Sequence, residues 1–115
     1  MLLPNLRRLS RLLGEIQGVL GGHRLIINSA YRCPDLNRKV GGVEDSQHTQ
    51  GLAADWVCQE AGAPLELARR VLASGLEFDQ LILEFNRWVH VSVAPEGRPA
   101  RREVLSIFSG QEGYL

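Results

Sequence analysis

Phe78-Asp79-Gln80-Leu81-Ile82-Leu83-Glu84-Phe85-Asn86-Arg87-Trp88-Val89-His90-Val91-Ser92-Val93 reads as two strands, 78–85 and 88–93, joined through Asn86-Arg87. In the second half Val89, Val91 and Val93 alternate with Trp88, His90 and Ser92, the period of a strand buried on one face. One face is therefore apolar and needs a cover, while the other carries His90. In the first half Glu84 closes the apolar run Leu81-Ile82-Leu83. A carboxylate there is costly if it is buried without a partner, and a nearby cation would resolve that cost.

Working outward, Gly51 to Cys58 predicts a strand that places Asp55 inside regular structure, and Leu65 to Ser74 predicts a helix. Pro64 suits that helix's first turn, where its missing N–H costs nothing, and Gly75 ends it. Leu6, Leu9, Leu12, Leu13, Ile16, Val19 and Leu20 recur at three- and four-residue steps and stop at Gly21-Gly22, so residues 5–20 form an amphipathic helix. Leu25 to Asn28 is a β-branched run that predicts a buried strand. Cys33 to Gln50 is rich in Pro, Asn, Gly, Asp and Ser and predicts a long functional loop, with a helical tendency near Leu36 to Val40. The order helix, strand, loop, strand, helix, strand, strand implies an α+β fold, a small mainly antiparallel sheet with helices packed on one face, in a single domain over 1–115.

Acidic and basic residues balance at 13 each, so no basic field exists to hold a polyanion, and nucleic acid is not expected as a partner. Arg98, Arg101 and Arg102 cluster around Pro95, Gly97 and Pro99 and are expected to decorate a solvated turn. Arg7, Arg8, Arg11 and Glu15 interrupt the N-terminal apolar residues, so neither a signal peptide nor a membrane span is expected there, and synthesis in the cytoplasm is. Cys33 and Cys58 belong to no C-x-x-C pair and read as ordinary thiols. Trp56 and Trp88 are expected in core or rim packing, and His23, after two glycines, in solvent.

His48 and Asp55 stand seven apart across Gly51, and His90 lies on the last strand. Two imidazoles and a carboxylate are ligands that zinc accepts, and catalytic zinc sites use three protein ligands with the fourth position open. Gly51 supplies the backbone freedom that lets the two residues converge. Ser46-Gln47-His48-Thr49-Gln50-Gly51-Leu52-Ala53-Ala54-Asp55 resembles the S-x-H-x-x-G-x-A-x-D signature of the M15 zinc D-alanyl-D-alanine peptidases, and Trp88-Val89-His90-Val91-Ser92 resembles their second histidine motif. Ser29-Ala30-Tyr31-Arg32, followed by Pro34, Leu36, Asn37 and Gly41-Gly42, is similar to their upstream segment. The similarity runs from about Leu6 to Ser106 and is closest to the short phage and prophage branch. It implies the fold shared with the hedgehog signalling domain, Zn2+ held by His48, Asp55 and His90, and peptidoglycan peptides as substrate, cleaved at the cell wall after release by a monomer with no membrane partner. The competing reading is a zinc-bearing binding module of the same fold, and a structural metal-stabilised subunit of a phage particle is a third.

Many members place their acid three residues before the last histidine, where this chain has Arg87. A guanidinium stays protonated and cannot serve as a base. Glu84, six residues before His90, matches the spacing of the phage-like branch and is assigned the base, with Asp79 as the second choice. Arg32 is assigned to a substrate carboxylate or the oxyanion, against a surface ion pair. Ser46 either hydrogen-bonds the substrate or braces the His48 loop. For Glu84 to serve the site it must share a sheet face with His90. Pairing the two directly leaves Asn86, Arg87 and Trp88 as a three-residue turn, with Asn86 suited to left-handed backbone angles; a two-residue loop would throw Glu84 to the other face.

Overall fold

The protein is described by a computed structural model that covers residues 2–31, 33, 38–39 and 47–108, with 111–113 as backbone only. Helix α1, Leu2–Val19, buries Leu9, Leu12 and Ile16 along one stripe. It ends where Gly21 and Gly22 adopt φ of 83° and 81°, angles that cost glycine nothing. Helix α2, Pro64–Ala73, starts on its proline and buries Leu67, Ala68 and Val71. The strands are β1 Ile26–Ser29, β2 Ala53–Val57, β3 Gln80–Glu84, β4 Trp88–Ser92, β5 Glu103–Phe108 and β6 Gln111–Gly113. They form one sheet in the order β1-β2-β4-β3-β5-β6, in which only the β3–β5 pairing is parallel. The sheet is thus mainly antiparallel, as the sequence implies.

Strand parity divides the sheet into two chemical faces. Ala54 and Trp56 pair with Val91 and Val89, which pair with Leu81 and Leu83, so these six share a face. All six are buried, and all but Leu83 cluster with Leu9, Leu12 and Ile16 of α1 and Leu67 and Val71 of α2, so both helices cover that one face. Trp56 is fully enclosed there. Trimming a fully buried residue such as Leu81 to alanine would cost roughly 2–5 kcal/mol. On the opposite face β2 presents Asp55, β4 presents Trp88 and His90, and β3 presents Ile82 and Glu84.

Four expectations need correction. The run at residues 25–28 does form a strand, but β1 lies at the sheet edge with Ile26 and Ile27 about half exposed, since an edge strand has a neighbour on one side only. Strands β5 and β6 were not anticipated; β5 reaches its parallel place beside β3 through residues 93–102, a crossover that hydropathy alternation does not encode. The hairpin has a three-residue turn, but Glu84 opposes Trp88 and not His90, and the turn is Phe85-Asn86-Arg87. Phe85 and Asn86 both take positive φ, 55° and 52°, so the chain leaves β3 one residue earlier than its apolar pattern implies. The displacement is two residues in register, which preserves the face. Lastly, Arg101 and Arg102 do not simply decorate a turn: Arg101 binds the buried Asp79, and Arg102 lies 4.8 Å over the Phe78 ring and donates to the Leu72 and Leu76 carbonyls.

Candidate metal centre

Asp55 and His90 are directly opposed across β2 and β4, so sheet register alone brings them together. His48 arrives from a short 3-10 turn, Gln47–Gln50, that folds back over this face. That turn is tied at both ends. The Leu52 amide donates to Gln47 O at 3.0 Å, and Asn5 of α1 donates to Gln50 O at 2.9 Å. Gly51 has φ 71°, a backbone angle that favours glycine, and a Cβ there would sit 2.6 Å from Leu2 Cδ1 and have to push that side chain aside.

One side-chain atom each from His48, Asp55 and His90 lies within 4.8 Å of the others. His48 Nε2 is 3.4 Å from Asp55 Oδ2, His90 Nδ1 is 2.9 Å from Asp55 Oδ1, and the rings meet edge to face at 5.3 Å. Both outer ring nitrogens are held by oxygens: His48 Nδ1 donates to Ala30 O at 2.8 Å, and His90 Nε2 donates to Gln47 Oε1 at 3.1 Å. A neutral imidazole that donates from its outer nitrogen keeps its lone pair on the inner one. Two lone pairs and a carboxylate then face one another, an arrangement that repels unless positive charge lies between them. The donor set therefore fits a zinc ion, with the outer nitrogens supplying the supporting bonds that metal-binding histidines use.

The centre favours positive charge: burial pushes the Asp55 carboxyl up, but hydrogen bonds from His48 and His90, and their charge when protonated, outweigh burial and hold it at about 2, so protons on the imidazoles do there what a metal cation would do. Glu84 lies on the same face, with Oε1 3.7 Å from His90 Nδ1 and Oε2 accepting from Trp88 Nε1 at 3.0 Å. Its carboxyl is pushed up, first by burial and then by the Asp55 charge, against smaller opposing effects of His90 and the Trp88 N–H. Asp79 has the opposite fate. Hydrogen bonds from Arg101 hold its carboxyl below the usual range, and its oxygens are taken up by that guanidinium, the Arg101 backbone amide and Gln47. A carboxylate so engaged is not a base, so Asp79 does not fill the role that its sequence position allowed.

Arg32 and Ser46 lie outside the described residues, as do Pro34, Leu36, Asn37 and Gly41-Gly42. Cys33 is exposed and Cys58 buried, and both are free thiols. His23 is exposed and meets Glu60 at 3.1 Å. Gln47 and Arg101 escaped the sequence reading as functional residues, because an amide and a surface-type arginine carry no spacing signal. Two clefts are lined by residues bonded to this face and not by His48, Asp55 or His90: Gln47, which meets His90, lines one, and Trp88, which donates to Glu84, lines the other. One of about 540 Å3 is lined by Gln47, Gln50, Asp79, Arg98 and Arg101, and the other, of about 470 Å3, by Phe85, Arg87, Trp88 and Phe108. Among the described residues no helix is long and apolar enough to cross a membrane. Compared with protein-family models, residues 3–92 match the family described as Peptidase M15. Comparison with curated proteins gives no match.

Proposed function

The chain belongs to the peptidase M15 family, and from that premise we propose that it is a zinc peptidase of the phage-type branch that hydrolyses peptidoglycan stem peptides, as a D,D-carboxypeptidase or an endopeptidase. The observation that carries this reading is the convergence of His48 Nε2, the Asp55 carboxylate and His90 Nδ1, with the Glu84 carboxylate 3.7 Å from that nitrogen. His48, Asp55 and His90 would hold the metal. Bound there, zinc would supply Lewis-acid chemistry, polarising the scissile carbonyl and acidifying the attacking water.

The chain's own residues supply the rest. Glu84 takes the proton of the attacking water at Oε1 and returns it to the leaving amine, and its raised proton affinity suits both transfers. The Trp88 N–H holds Oε2 and so keeps Oε1 aimed at the His90 side. The apolar helix-covered face fixes β2, β3 and β4 behind these groups, and rigid strands hold a reacting set more tightly than loops do. The substrate peptide would run from the Gln47 cleft to the Trp88 cleft across the centre. Arg32 and Ser46 are proposed to bind its carboxylate and backbone.

The deciding experiment is analysis of the peptides released from purified peptidoglycan by the zinc-loaded protein. Release of D-alanine or of defined stem-peptide fragments, abolished by a chelator and restored by zinc, is the expected result. Zinc binding with no release from any peptidoglycan chemotype would instead identify a binding module of the same fold.

A further inference from the structure

His48 and His90 secure their outer nitrogens by different means. His48 donates to the Ala30 main-chain carbonyl, an acceptor that cannot reverse its polarity. His90 donates to the side-chain amide of Gln47, and an amide presents either an oxygen or an NH2 group depending on which way it is turned. Something must therefore set the direction of Gln47. Its NH2 group lies 3.4 Å from Asp79 Oδ2, and Asp79 is 2 % exposed and accepts from Arg101 N, Nε and Nη2 at 3.1, 3.0 and 2.9 Å.

We propose that Gln47, Asp79 and Arg101 form a hydrogen-bond relay that fixes which ring nitrogen of His90 carries the proton, and so which nitrogen is offered to a metal; the inference rests on the zinc reading above. Each step removes one alternative. Arg101 keeps Asp79 ionised, and an ionised carboxylate only accepts. Gln47 must then turn its NH2 towards Asp79 and its Oε1 towards His90. A carbonyl oxygen only accepts, so His90 must carry its proton on Nε2, which leaves the Nδ1 lone pair facing Asp55. Without the relay the opposite tautomer is available at little cost, because a proton on Nδ1 would find Asp55 Oδ1 at 2.9 Å and would block the ligand position. Gln47, Asp79 and Arg101 are positioning residues, since none contributes a ligand atom to the centre.

Donor and acceptor logic makes the relay reversible by design. In Asp79→Asn the amide oxygen stays with Arg101 N and Nε, the new NH2 group takes the place of Oδ2, where it displaces Arg101 Nη2 and faces Gln47, and Gln47 turns over to present NH2 to His90. The double variant Gln47→Glu, Asp79→Asn restores the original polarity, because the new carboxylate accepts from His90 and from the new amide. Two quantities read this out: zinc affinity by chelator competition, and the His90 tautomer by nitrogen-15 chemical shifts of the metal-free protein at about pH 8.5, above the ordinary imidazole range. Asp79→Asn is expected to weaken zinc binding about 10-fold or more and to move the His90 proton to Nδ1, with the double variant recovering most of both. Arg101→Met, which frees Asp79 without touching Gln47, should weaken zinc binding in the same direction if Asp79→Asn does not fold. A folded Asp79→Asn protein with wild-type zinc affinity and the proton on Nε2 overturns the relay and leaves the zinc reading standing. A double variant as weak as Asp79→Asn alone overturns it too. A wild-type protein that binds no zinc removes the zinc reading itself.

Discussion

At the start of β3 the Asp79 side chain is 3 % exposed and clasped by Arg101, and at its end the Glu84 side chain is 21 % exposed, beside Asp55 and under the Trp88 N–H. The more deeply buried carboxyl is the one held below the usual range, and the less buried one is pushed up. The partners differ: a guanidinium outweighs the cost of burying Asp79 and uses up its lone pairs, whereas at Glu84 burial is the largest effect and a second carboxylate as neighbour adds to it. Environments that push two carboxyls apart assign them separate work. On the proposed reading one anchors the support of the metal centre, and the other is suited to carry a proton.

The largest effect that would sharpen this contrast is on catalysis. Glu84→Gln should keep zinc and lower turnover on stem peptides by about 100-fold or more, measured by steady-state kinetics with parallel metal analysis. Full activity in that variant would strip the contrast of functional meaning. The next effect is on stability. Arg101→Met leaves Asp79 buried without its main donors and should cost about 1–3 kcal/mol in urea unfolding. Because the folded Asp79 carboxyl is depressed, the stability it contributes is complete above its ordinary value of 3.8 and fades as pH falls through the folded value. The stability gap between the wild type and Asp79→Asn should therefore narrow below about pH 4, and a gap that widens in acid would break the comparison. The smallest effect concerns Trp88. Trp88→Phe removes the N–H that favours ionised Glu84, so the acid limb of kcat/KM should move to slightly higher pH than in the wild type, and a downward shift would contradict the role given to that bond.

Much of this was legible in the sequence, for identifiable reasons. The alternation Val89, Val91, Val93 against His90 fixed the faces, because side-chain period in a strand is strictly two. The same property hid the register: moving Glu84 from opposite His90 to opposite Trp88 changes no face, so a face argument cannot separate the two. Turn chemistry settled it, through two successive positive φ values at Phe85 and Asn86. The hydrogen bonds that run from His90 through Gln47 and Asp79 to Arg101 join residues 22 to 43 positions apart in sequence, and their proposed meaning lies in donor and acceptor direction, which no spacing records. The placement of β5 beside β3 likewise depends on a crossover and not on local pattern.

The most direct measurement is the zinc content of the purified protein, its His90→Ala variant and its His23→Ala variant after loading and dialysis. About one zinc ion per chain in the wild type and in His23→Ala, and none in His90→Ala, is the expected result. Zinc held at full occupancy by His90→Ala, or a wild-type chain that takes up none on titration, would contradict the assignment of His48, Asp55 and His90 as the metal centre.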